Sequence, residues 1–169
     1  MFAAEIRRNR VSRMRAYSNW QWHLDAVFMK INGELHYLWR AVDREGEVLE
    51  SFVTKTRDRK AALKFLKKAM RRHGSPSTLV TDKLRSYGAA MKVVGNADRQ
   101  ETGRGKNNRA ENSHQPFRRR ERAMQRFRSM RSLQKFAAVH FSVHSHFNLG
   151  RHLYSRANFK LNRDAALSE

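Results

Sequence analysis

Residues 20–31, "WQWHLDAVFMKI", alternate in direction with apolar groups on both faces. Trp22, Leu24, Ala26 and Phe28 point one way, while Asp25, Val27, Met29 and Ile31 point the other. Such a pattern predicts a strand covered on both sides. Asn32-Gly33 follows, the strongest short hairpin signal, and "ELHYLWRAV" is the return strand. "DREG" at 43–46 marks a second turn and "EVLESFVTK" a third strand. Residues 20–55 therefore read as an antiparallel meander.

The period changes after Asp58, a residue suited to capping a helix N-terminus. "RKAALKFLKKAMRRH" carries apolar residues at 62, 65, 66, 69 and 70, the stripe of an amphipathic helix. Arg71, Arg72 and His73 occupy its last turn, where cations suit the helix dipole. Gly74 ends it and Pro76 follows. "STLVTD" predicts a short buried strand ending at Asp82, and "SYGAAMKVVG" a short helix. Residues 95–107 read as a loop with a short strand at its centre. "NRAENSHQPFRRRERAMQRF" predicts a helix that Pro116 kinks or opens. "SLQKFAAVHFSVHSHFN" predicts another, and residues 149–169 are poorly patterned. Residues 1–19 are a basic lead-in with little to bury. The order β-β-β-α-β-α-β-α, with a last helix after it, predicts an α/β mixed sheet flanked by helices.

Composition narrows the partner. The 169 residues include 36 Lys and Arg against 15 Asp and Glu, a formal charge of +21. Charge of that size strains a compact fold by self-repulsion, and a polyanion resolves it. The densest run, Arg118 to Arg131, holds seven arginines and one glutamate. There is no cysteine, which excludes disulfide frameworks and thiolate zinc sites and fits a reducing compartment. No apolar run approaches the ~20 residues of a membrane span, and the N-terminus lacks the apolar core of a secretion signal.

In so basic a chain the carboxylates carry information. Glu34, Asp43, Glu45 and Glu47 fall at turns, Glu50 on a strand face and Asp58 at a cap. Three others have no such home. Asp25 lies inside a two-sided apolar strand, where an unpaired carboxylate is costly. Asp82 ends a buried strand, where α/β sheets place their sites. Glu111 begins a helix after a long loop. If the first and fourth strands are neighbours, Asp25 and Asp82 converge and the Glu111 helix crosses them. Three carboxylates suggest Mg²⁺, which takes oxygen ligands, and two such ions can serve phosphoryl transfer. Glu111, His114, Gln115, Arg118 and Arg122 share one helix side. The candidate DNA-binding residues are His114, Arg118, Arg119, Arg122, Lys83 and Arg109, with Arg118 foremost because it shares the Glu111 face. The histidines at 140, 144, 146 and 152 read as packing or phosphate-facing rather than zinc ligands. Tyr87 reads as packing beside the site rather than as a nucleophile, and Trp20, Trp22 and Trp39 as packing.

"WHLDAVFMKINGELHYLWRAVDREGEVLESFVTKTRDRKAALKFLKKAMRRHG", "LVTDKLRSYGAA" and "NNRAENSHQPFRRRERAMQRF" together resemble the catalytic domain of bacterial insertion-sequence transposases of the IS6 (IS26-like) family. The resemblance covers roughly residues 2–168. It implies a DDE enzyme with an RNase H-like, retroviral-integrase-like core. Asp25, Asp82 and Glu111 match the family triad and would bind Mg²⁺ or Mn²⁺. It further implies strand cleavage and transfer at transposon ends, by a dimer or larger assembly on end and target DNA. The place of action would be the bacterial cytoplasm, at the nucleoid. Residues 20–148 would form the catalytic domain, 1–19 a linker remnant and 149–169 a tail. Two positions depart from the family pattern. Ala26 stands where Glu usually follows the first Asp, and Gly105 where an aromatic residue is expected, which would loosen the loop before Glu111. The family's N-terminal helix-turn-helix region is missing, so the chain reads as a truncated member. The competing reading is an inactive, non-specific DNA-binding remnant. A ribosomal or RNA-packaging protein shares the charge but has no need of carboxylates on buried strands.

Overall fold

The computed structural model describes residues 21–44, 46–103, 105–124, 127–147 and 156–168. The lead-in, Trp20 and His152 lie outside them. The meander forms as its pattern predicts: β1 (Gln21–Ile31), β2 (Glu34–Asp43) and β3 (Val48–Thr54). Asn32 and Gly33 close the first hairpin with φ of 51° and 84°, the paired positive values of a type I′ turn. That turn sets Ile31 against Glu34 and every later pair, through Asp25 against Arg40, to Trp22 against Asp43.

Helix α1 (Arg59–His73) crosses from β3 to β4 (Thr78–Thr81). Asp58 caps it, its carboxylate accepting from the Ala61 amide at 2.8 Å. Gly74, at φ 85°, ends it in a conformation that favours glycine. Helix α2 (Arg85–Val94) leads through a 3₁₀ turn at Ala97–Arg99 to β5 (Gln100–Thr102). The sheet order is β3-β2-β1-β4-β5, with β1, β4 and β5 parallel. The expected mixed α/β sheet is therefore present, with β1 at its centre.

Each face of β1 meets its own helical layer. Trp22, Leu24 and Ala26 pack with Trp39, Phe65, Leu66, Tyr87 and Met91 beneath α1 and α2. Val27, Met29 and Ile31 pack on the other face with Ala110, Phe117, Leu133 and Phe141. These come from α3 (Asn108–Ser113), α4 (Gln115–Ala123) and α5 (Met130–Phe147). Ala26 thus faces the layer opposite to that of Asp25's neighbours. Among the described residues, no helix is long and apolar enough to cross a membrane.

The structure differs from the sequence reading in three places. The helix expected from Asn108 onward is two helices joined at His114, with Pro116 in the first turn of the second. A proline there lacks only an amide that would be unbonded anyway. The poorly patterned tail contains α6 (Arg156–Ser168). Its Ala, Leu, Lys and Arg residues favour helix by propensity without forming an apolar stripe. The acids assigned to turns and strand faces include buried ones: Asp43, Glu47 and Glu50 are each less than 8% exposed.

Glu50 is held in β3 by cations from α1. Lys68 lies 3.2 Å and Arg72 3.1 Å from its oxygens, and His73 3.5 Å. Burial alone would raise its pKa, but the His73 hydrogen bond and the Lys68 and Arg72 charges prevail and lower it to about 2. A carboxylate depressed in the folded state stabilises above its unfolded value and loses that contribution as pH falls. Glu50→Gln is therefore expected to cost about 1–3 kcal/mol at neutral pH. The gap to wild type should close as pH drops from about 4.5 to about 2 in urea unfolding series.

Candidate active site

The site grows from one register. Leu24 pairs with Thr81 across the parallel β1–β4 ladder. Asp25 and Asp82, the next residue on each, therefore follow side by side where β4 ends. Tertiary pairing thus makes neighbours of two carboxylates 57 positions apart. Asp25 is buried at 7% exposure. Asp82 is partly open, its side chain 36% exposed.

Each aspartate has a guanidinium. Arg40, opposite Asp25 on β2, is fully buried. Its Nε donates to Asp25 Oδ1 at 3.0 Å and its Nη2 to Oδ2. The same side chain reaches α3, donating to the Ala110 carbonyl at 2.7 Å and to Ser113 Oγ at 3.1 Å. The Phe141 ring lies 5.6 Å from its guanidinium carbon. Arg57, from the β3–α1 loop, lies 3.3 Å from Asp82 Oδ2 and 5.1 Å from the Phe28 ring centre. The Leu84 amide also donates to Asp82 at 3.2 Å.

Glu111 enters from α3, whose start is tied to the sheet. Asn107 donates to the Leu24 carbonyl at 2.9 Å, one residue from Asp25. Glu111 is exposed, yet its charge is felt. Burial raises the Asp82 carboxyl above its ordinary range; the Leu84 amide and Arg57 oppose this, and the charges of Asp25 and Glu111 add to the rise. Tyr87 lies within reach of the same charges. Burial, then the charges of Asp25 and Asp82, push its phenol well above its usual range. Fully buried and packed edge-on against Trp39, Tyr87 is part of the core beside the site.

The three carboxylates share one region without meeting at a point. Among the described residues, no three His, Asp or Glu side chains lie close enough together to hold a metal. The donor chemistry itself, carboxylate oxygens in a common negative field, suits a hard cation such as Mg²⁺ or Mn²⁺.

The remaining candidates divide. His114 Nδ1 lies 3.9 Å from Asp25 Oδ2. Arg118 is engaged within the protein, donating to Glu121 at 2.8 Å and to the Phe28 carbonyl. Arg119, Arg122 and Lys83 are exposed. The side chains of Arg109 and His146 lie outside the described set. His140 stacks with His144 and sits among Phe117, Phe136 and Phe141. Burial, then His144 and Arg120, push it down to about 4, so it is neutral at pH 7. Gly105 takes φ 76°, which a larger side chain would adopt only with strain.

Arg40, Arg57 and Asn107 are the site residues that sequence reasoning missed. A signal for Arg40 was present. A two-residue Asn-Gly hairpin fixes its own register, and counting back from Ile31 and Glu34 places Arg40 directly across from Asp25.

The fold is that of an RNase H-like core. The match is to retroviral integrase cores: the catalytic core of HTLV-2 integrase in complex with magnesium (dimeric form) aligns at TM-score 0.56 and 14% identity, over 78% of this chain and 88% of that one. The simian T-cell lymphotropic virus intasome in complex with the PP2A regulatory subunit B56 gamma aligns at 0.55 and 16%, over 82% and 55%. A profile of the DDE domain of IS240-type transposases matches residues 19–149, and the chain belongs to that family. It is 36% identical over 75 residues to the IS431mec transposase of Staphylococcus aureus Mu50, and likewise to the IS257 transposase of transposon Tn4003. These segments cover 44% of this chain and 34% of each relative, so the matched part spans about a third of those proteins.

Arg40→Met should leave Asp25 buried and uncompensated, at a cost of about 3–5 kcal/mol. Asp25→Leu combined with Arg40→Met should recover part of that loss, since apolar replacement of both partners removes the buried charge. A double-mutant cycle in urea unfolding measures the difference.

Proposed function

We propose that this chain is a catalytic unit for metal-dependent DNA strand cleavage and transfer, with Asp25, Asp82 and Glu111 as its acidic set. The observation that carries the proposal is the β1–β4 register, which sets Asp25 beside Asp82, with Glu111 near enough to raise Asp82. Residues 20–148 are the catalytic portion. Asp25 and Asp82 would supply the first oxygens to Mg²⁺ or Mn²⁺, and Glu111 the third. Ions held there would supply Lewis-acid chemistry for phosphoryl transfer, favouring the attacking and leaving oxygens of a phosphodiester.

The protein's own groups do the rest. Arg40 orients Asp25 through its two hydrogen bonds in a buried setting. Arg57, beside Asp82 at the open end of β4, is placed to meet a phosphate. His114 faces the same carboxylate as Arg40 from the α3–α4 junction. Arg119, Arg122 and Lys83 are exposed cations for the DNA backbone; phosphate contacts position a duplex without reading its sequence. The partners are transposon-end and target DNA. A homo-dimer or larger assembly, acting in the bacterial cytoplasm, accords with joining two ends.

The test is strand transfer with pre-cleaved duplex ends in Mg²⁺ or Mn²⁺. Asp82→Asn should abolish joining while leaving duplex affinity within about twofold of wild type, because the substituted group holds metal rather than phosphate. An Asp82→Asn protein that joins ends as wild type does would overturn the assignment.

A further inference from the structure

The outer face of α1 has a charge pattern that its packing does not require. Of the 15 residues in Arg59–His73, seven are Lys or Arg and none is acidic. The buried side is apolar: Ala61, Ala62, Phe65, Leu66 and Ala69, with His73. Directly opposite lie Lys60, Lys64, Lys67 and Arg71, all exposed. Their spacing of four, three and four keeps them on one line along the helix.

Most basic helical faces alternate with acids or serve a neighbour. Lys68 and Arg72, to one side, serve Glu50. Among the described residues no ion pair holds Lys64, Lys67 or Arg71 to a carboxylate, and Lys60 meets only the charge of the capping Asp58. Lys64 alone has a further contact, 5.6 Å from the Phe52 ring centre. The arrangement opposes helix stability twice. Like charges at i,i+4 repel, and Arg59 and Lys60 stand at the positive end of the helix dipole. Asp58 offsets only part of this by its cap.

We propose that the Lys60–Lys64–Lys67–Arg71 line is a phosphate-tracking surface for a duplex DNA backbone, separate from the arginines of α4. A line of four cations spans about 16 Å at 1.5 Å per residue. A rod with one negative charge per about 1.7 Å of axis presents several phosphates to such a line. The surface lies on α1, beneath the opposite face of the sheet from α4. The two basic faces could therefore engage different duplexes, or different stretches of one. The proposal draws on the transfer reaction above only in taking DNA as the polyanion.

The test is the salt dependence of binding to a fluorescent duplex of arbitrary sequence, read by anisotropy. The slope of log affinity against log salt changes by about 0.9 per phosphate contact. In the variant carrying Lys60→Gln, Lys64→Gln, Lys67→Gln and Arg71→Gln, the slope should become shallower by about 2 to 4. The helix should melt no earlier than wild type, because the repulsion is gone. The pairs Lys60→Gln/Arg71→Gln and Lys64→Gln/Lys67→Gln should each give about half the change, which keeps the test valid if the fourfold variant folds poorly. A slope within about 1 of wild type in the fourfold variant and unchanged in both pairs overturns the proposal. So does a loss confined to duplex RNA or phosphatidylserine vesicles with DNA binding intact. Asp82→Asn should leave the slope unchanged. Loss of the slope change with normal end joining defeats this surface alone, whereas joining by Asp82→Asn defeats the catalytic assignment alone.

Discussion

The contact between Arg40 and Asp25 is the interaction on which the site depends. It joins β1 to β2 at the centre of the sheet, where Arg40 is fully buried and Asp25 nearly so. A buried carboxylate without a partner would lose its charge, and a buried guanidinium cannot lose its own. Each therefore requires the other. The remaining donors of Arg40 extend the constraint, because they satisfy Ala110 and Ser113 in α3. One side chain thereby links the first carboxylate to the helix bearing Glu111. Asn107 adds a second tie, to the Leu24 carbonyl. The third carboxylate needs no buried setting of its own; it is carried there by a helix whose inner residues are held.

The two aspartates sit in contrasting environments. Asp25 is deep and bidentate with its arginine. Asp82 is at the sheet's end, half open, with Arg57 on one side and like charges on the other. Both environments follow from strand length. β1 runs eleven residues through the centre of the sheet, whereas β4 stops after four. The inner acid is thus fixed by packing while the outer one stays partly open to solvent.

Excess positive charge is arranged in the same graded way. Where cations lie near the core they have acids: Arg40 with Asp25, Lys68 and Arg72 with Glu50, Arg118 with Glu121. Arg118 shows how a residue on the expected phosphate-facing side is drawn inward by a carbonyl and a carboxylate. Farther out, Lys60, Lys64, Lys67 and Arg71 of α1 and Arg119 and Arg122 of α4 are exposed, and self-repulsion concentrates there.

Much of the fold was legible in the chain. Period-two alternation with apolar residues on both sides identified β1 as a strand covered on both faces. Asn32-Gly33, Asp58 and Gly74 marked turns and helix ends because each conformation favours few residue types. The adjacency of Asp25 and Asp82 was conditional on strand order. The break at His114, the helix at 156–168 and the burial of Asp43, Glu47 and Glu50 were not legible. The sequence by itself determined which residues alternate, which stripes are apolar, where the chain must turn, and how far cations outnumber acids. Only the tertiary structure decided which charge meets which. Periodicity reports the side a residue faces, whereas the pairing of Asp25 with Arg40, Asp82 with Arg57 and Glu50 with Lys68 depends on strand order and helix docking between distant segments.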